Sequence, residues 1–316
     1  FRSGTLTVTG TSSVGVAGLG TFTQSNAAGD STHTTVTLVL GASAGASGSY
    51  SLTDTGSGFA LSLAVAGDTI VGGDGDGAFS QNGGTVTTGA LYVGGGPNPP
   101  YSNVATSASY VLGIGTLTAG ATNVGNNGAG VFLQSGGTFH AGALLLGNAG
   151  GTGGNSYGQF FLSGTGTLVS TDVTIGGFGR GEFTQSGGTH TVGGTLVLGD
   201  GPAIGGTPVR GGFYTLAGGS LDVGGSTIVG GGNDGFPGEP GGDGSFTQTG
   251  GTHTVAGDLI VGETGAIAGG TGSYALGGTG TLAVTGALRL GAGGSGFGGS
   301  GSFTQTAGSA SAAQLL

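Results

Sequence analysis

The sequence predicts an all-β fold, a parallel β-solenoid (β-helix) of about eleven three-strand coils of two alternating types with Gly-rich loops. Three observations predict it. Residues 181–199, GEFTQSGGTHTVGGTLVLG, return almost unchanged at 244–262 and in weaker form at 20–41, 77–94, 130–147 and 301–316. A second phrase, clearest at 272–291 (GSYALGGTGTLAVTGALRLG), alternates with the first and has relatives beginning near Gly48, Ser109, Gly158 and Gly212. The aromatic near the start of each copy recurs every 22 to 32 residues from Phe22 to Phe303. A repeat of that length marks a quasi-one-dimensional fold whose units are stable only when stacked.

Each copy contains three short extended runs separated by small-residue corners, so one copy makes one three-sided coil. The first run, Phe183 to Gln185, opens on the aromatic and places a Gln two residues later. Gln24, Gln81, Gln134, Gln185, Gln248 and Gln305 hold this place in one phrase, and Leu52, Leu112, Leu162, Leu216 and Leu276 hold it in the other. The period of two along a strand turns this position inward with the aromatic. A carboxamide there must be hydrogen-bonded, and the backbone of the adjoining corner is the expected partner.

The second run, Thr189 to Val192, takes its parity from Leu282 and Val284 of the other phrase, which puts His190 and Val192 inward and Thr189 and Thr191 outward. His33, His190 and His253 share one slot, filled by Val86 and Phe139 elsewhere. Coils bearing His are separated by at least one coil of the other phrase, about 10 Å or more, which is too far for a shared metal. The outward pairs Thr5/Thr7, Thr85/Thr87, Thr189/Thr191 and Thr252/Thr254 resemble the Thr-x-Thr ladder of ice-binding solenoids. The pairs Thr167/Val169, Ser220/Asp222 and Thr281/Ala283 interrupt it, so no regular array is expected.

In the third run, Thr195 to Leu198, Leu196 and Leu198 point inward and Val197 outward. The outward positions Val39, Ile70, Tyr92, Leu145, Val197, Ile228 and Ile260 form an apolar stripe that a water-facing sheet should not carry. Two readings stand: Gly-rich loops fold back over the stripe, or it is a lateral interface with another rod. The loops after this run hold the length variation, as surface connections do. They also hold acids: Asp74 and Asp76, then Asp234, Glu239 and Asp243. Gly-flanked carboxylates suit Ca²⁺, but these do not recur at the nine-residue period of calcium-binding rolls, so solubilising charge is the competing reading. No other cofactor is expected.

Composition bounds the rest. The 316 residues read as a single solenoid, 1–316, without a compositional break; of them 85 are Gly and 7 are Pro, with no Gly-X-Y period. Only 6% of residues are charged and the net charge is -10, with four scattered cations, so nucleic acid is excluded as a partner. No apolar run is long enough for a spanning helix, so membrane insertion is not expected. There is no Cys and no Lys, so whatever holds the fold is non-covalent. Without Met or an apolar leader, the chain reads as a mature product or a window of a longer chain. No catalytic constellation appears, and no enzyme activity is expected.

The phrase FTQSGGTHTVGGTLVLG resembles the Gly-rich repeats of large bacterial surface and secreted proteins, including autotransporter-like passenger regions. The resemblance implies an extracellular or cell-surface location. It fits a structural protein forming rods or filaments, with copies of itself as partners. The edges exposed at either end, Leu6 and Val8 at one and Phe303, Gln305, Leu315 and Leu316 at the other, are the candidate end-to-end interface. The alternative is an adhesin stalk or glycan-binding module using Pro97 to Tyr101, Tyr157 and Phe236 to Asp243.

Overall fold

The computed structural model describes residues 1–97, 107–147, 156–200, 211–232, 241–291 and 296–316. All the regular structure among them is β, and all strand pairing within it is parallel apart from one isolated antiparallel bridge between Gly265 and Phe297. Consecutive coils pair run upon run and form three ladders. The first ladder starts at Leu19–Ser25 and ends at Ser300–Gln305, taking one strand from each copy of the phrase. Numbered from the N-terminus, its eleven rungs carry Phe22, Tyr50, Phe79, Tyr110, Phe132, Phe160, Phe183, Tyr214, Phe246, Tyr274 and Phe303 in mutual register. Nine of these rungs have a neighbour on both sides, so the closed part of the solenoid has about nine turns; the expected eleven coils include the two end coils.

The second ladder runs from Gly4–Thr7 to Ser309–Ser311 and the third from Thr11–Val14 to Gln314–Leu315. Registers follow the expected parity. Leu196, Leu198, Leu259 and Val261 are fully buried, as are His190 and Val192, while Val197 and Ile260 face outward.

Inside, the aromatics form one column. Neighbouring ring centroids from Tyr50 to Tyr274 lie 4.6 to 5.0 Å apart with planes within 9° of parallel. The inter-strand repeat of about 4.8 Å sets this separation; the rings sit face over face because the ladder is in register. The end rings, Phe22 and Phe303, tilt by 29° and 21° against their neighbours.

The corners explain the glycine content. The residue closing the third run is Gly in every complete coil, and at Gly199 it has φ 70°, a region that costs other residues about 1–2 kcal/mol. A Cβ there would land on the Asp243 carbonyl oxygen two coils on. At Gly212 the conformation is ordinary, but a Cβ would strike the Ile175 carbonyl. Backbone lies so close to backbone at these corners that no side chain fits between.

The apolar stripe of the third run requires a correction. Val39 and Ile70, read as lateral contact residues, are each only 3% exposed. Tyr92, Leu145, Val197, Ile228 and Ile260 are half-buried. Outward side chains in register a few ångströms apart shield one another, and Ile70 lies between Val39 and the large Tyr92. Val39 and Ile70 are thus unavailable as lateral contacts, while the other five keep part of their surface accessible.

Candidate functional site

Two kinds of chemistry-bearing group emerge: a polar chain inside the coils and one chemically distinct outer face.

The inner chain begins at the constant Gln of the first phrase. Gln185 Nε2 donates to the Gly188 carbonyl of its own corner (3.3 Å) and to the Ser220 carbonyl one coil on (2.8 Å). Gln81, Gln134 and Gln248 make the same pair of bonds. The corner partner is the one the sequence predicts. The carbonyl oxygen of the carboxamide has a partner that the sequence does not reveal: Tyr214 Oη, from the next coil, donates to Gln185 Oε1 at 2.6 Å. Tyr50 serves Gln24, Tyr110 serves Gln81 and Tyr274 serves Gln248, at 2.6 to 2.7 Å. The two phrases alternate because one supplies the acceptor and the other the donor.

The buried histidines extend this chain. His190 Nδ1 lies 3.3 Å from Tyr214 Oη and His253 Nδ1 3.0 Å from Tyr274 Oη. Each Tyr has committed its proton to a Gln, so it accepts here and the imidazole proton sits on Nδ1. The opposite nitrogens accept from Ser170 Oγ and Thr227 Oγ1, one coil before, at 3.1 and 3.2 Å. Burial lowers the pKa of both imidazoles to about 3 and raises the Tyr phenols well above their usual value. Both groups are therefore neutral across the physiological range, and His33, whose two nitrogens meet Ser12 Oγ and Tyr50 Oη, shows the same arrangement. With both ring nitrogens engaged, these imidazoles offer no lone pair to a metal. Their chemistry is cohesive, each linking three coils.

One copy breaks the pattern. Rung six carries Phe160 where a Tyr is needed, and Gln134 Oε1 is left buried without a hydrogen-bond partner, alone in this respect among the described residues.

On the outside, the second ladder presents a hydroxyl in every rung of one column, from Thr5 through Thr32, Ser62 and Thr85 to Ser309. The column beside it is interrupted by Ala64, His140, Val169, Asp222 and Ala283, as the sequence implies.

The first ladder's outer face is different. The position after each aromatic is Ser or Thr in most rungs, but Val111, Leu133 and Phe161 occupy it in rungs four to six, in register and 39, 40 and 36% exposed. Beside them Arg180 pairs with Glu182 and lies over the rings of Tyr157 and Phe213, 5.7 and 4.8 Å from their centroids. Tyr157 Oη and Gln159 Nε2 also donate to Glu182, at 2.6 and 2.9 Å. Burial pulls this carboxyl upward, yet the bonds from Tyr157, Arg180 and Gln159 hold it below its ordinary value. Sequence reasoning missed this patch, although Val, Leu and Phe in a Ser/Thr column are visible once the repeats are aligned.

The calcium candidates that are described, Asp74, Asp76 and Asp243, do not converge. Asp74 and Asp76 flank the start of rung three, Asp243 opens rung nine, and Asp234 and Glu239 lie outside the described residues. Asp76 Oδ1 accepts from the Ser107 amide at 2.9 Å. Among the described residues no three His, Cys, Asp or Glu gather as a metal site would require. Of the glycan candidates, Pro97, Tyr157 and Gly241 to Asp243 are described; Tyr101 and Phe236 are not.

The end-to-end candidates are accessible. Leu315 and Leu316 are 70 and 59% exposed, and Leu6, Val8 and Phe303 are partly so. Phe303, Gln305, Leu282, Leu288 and Leu315 line an open hollow of about 480 Å³ in the last coil. No protein-family model, curated protein or solved structure matches the chain.

Proposed function

We propose that the chain is a structural protein of the cell exterior, a rod that builds filaments or matrix by stacking coil on coil. The observation that carries this reading is the uninterrupted column of rings and ladders, which opens at rung eleven onto an unpaired strand edge and an apolar hollow. Gln305 donates to its own corner at Gly308, 3.1 Å away, as Gln81, Gln134, Gln185 and Gln248 do at theirs. What would complete that coil is a further coil of the second phrase with a Tyr over Gln305. An exposed parallel edge of this kind templates the addition of strands, and either a continuing chain or another copy can supply them. The location outside the cell rests on the resemblance of the repeat to bacterial surface proteins. No catalytic role is part of this reading.

Electron microscopy of the purified chain, with its mass in solution measured alongside, tests it. Filaments with an axial repeat near 50 Å, about eleven inter-strand spacings, support end-to-end stacking. Monodisperse short rods at all concentrations overturn self-assembly and leave the adhesin-stalk reading in its place.

A further inference from the structure

The geometry points to a second, lateral interface: the outer face of the first ladder is a self-complementary docking surface for an antiparallel second copy of this chain, with the two-fold axis running along rung five. The inference deepens the structural reading above and uses a different surface from the ends.

The exposed column of Val111, Leu133 and Phe161 sets the position of the axis. With the axis over rung five, Leu133 meets its own counterpart. Rung four then faces rung six, so the smaller Val111 packs against Phe161. Rung three faces rung seven, which brings Asp76 opposite Arg180, because both stand three residues before their aromatic on the outward side. By symmetry this ion pair forms twice. The same operation places Glu182 over Ala78 and Phe213, in rung eight, over Ser49 in rung two. At these positions bulk faces small residues, while at the ends of the overlap Leu19 of rung one faces Asp243 of rung nine.

A parallel pairing of the same faces runs the facing strands in opposite directions; with its axis over the column after the aromatic it sets Phe161 on Phe161, bulk against bulk, and carries Arg180 away from Asp76. The chain carries a net charge of -10, yet in rungs one to nine the column after the aromatic is uncharged, and the column before it holds only Glu182, already paired with Arg180. In these two columns two copies therefore meet little repulsion. Rungs one to nine overlap in the antiparallel arrangement, a footprint of roughly 850 Å² from strand length and spacing, close to the ~800 Å² per partner of a standard specific interface.

Because the chain has no Cys, single introduced cysteines report the geometry. Leu133→Cys should give covalent dimers with a short thiol-to-thiol linker in high yield. Chains with Ser80→Cys mixed with chains carrying Thr184→Cys should cross-link to each other at least tenfold more than either does to itself. Ser273→Cys, in rung ten beyond the overlap, should not cross-link. Asp76→Arg should weaken dimerisation at least tenfold, and Asp76→Arg combined with Arg180→Asp should restore it. Self-linking of Ser80→Cys in preference to the mixed pair would overturn the antiparallel arrangement, and absence of any Leu133→Cys dimer at millimolar chain would overturn the interface. Circular dichroism of each variant confirms that it is folded. Rung five lies mid-rod, so end-to-end stacking cannot produce these links, and failure of this proposal leaves the filament test unaffected.

Discussion

At the scale of single residues, the pattern of Gln, Tyr and His explains why the repeat has two phrases. The constant Gln was legible in the sequence as a buried corner residue, since its place two after the aromatic gives it inward parity. Its Tyr partner was not, because the donor lies in the next coil and at a spacing that varies with loop length. Phe160 provides the test. Phe160→Tyr should supply the missing donor to Gln134 Oε1 and stabilise the fold by about 1 kcal/mol, the usual net worth of such a bond; denaturant unfolding would show the midpoint rising. Two of the imidazoles give a pH dependence with a definite sign. His190 and His253 titrate near 3 when folded and near 6.5 when unfolded. Their neutral burial therefore contributes its full stability above about pH 6.5 and loses it as pH falls toward 3, by about 2 kcal/mol each at pH 5. Substituting Val at both positions, the residue that the Gln81 coil already carries as Val86, should flatten the stability profile between pH 6.5 and 4.5.

At the scale of strands and corners, parity was fully legible. Alternation within each run placed the buried leucines, the inward histidines and the outward threonines correctly. The packing outside the sheet was less so: Val39 and Ile70 have the parity of exposed residues but are buried, while Ile228, flanked in register by Val197 and Ile260, is only half-buried, and one sequence does not say how far a side chain will lean. The corners impose a strict demand. Gly199→Ala should cost several kcal/mol, combining the left-handed backbone penalty with the collision against the Asp243 carbonyl, and should lower the thermal midpoint. Asp222→Thr, on the outer face of the second ladder, should change stability by no more than about 0.5 kcal/mol.

At the scale of the molecule, the repeat made the solenoid readable because a parallel ladder aligns equivalent residues of successive copies. The closing geometry of the end coils was not readable, since burial there depends on whether another coil lies over them. Leu315→Asp with Leu316→Asp puts two charges on the open edge, where they would have to be desolvated by an incoming coil. These changes should leave the interior fold intact, because both side chains are exposed, and should abolish any filaments seen for the unaltered chain by negative-stain microscopy.

The handshake between Gln185 and Tyr214 also governs how such a rod can change length. Excising or duplicating one coil sets two coils of the same phrase against each other and strands either a carboxamide, as already happens above Gln134, or a Tyr hydroxyl. Excising or duplicating a pair preserves every donor and acceptor. The heritable quantum of this molecule is therefore two coils, and engineered or natural length variants should differ by even numbers of them.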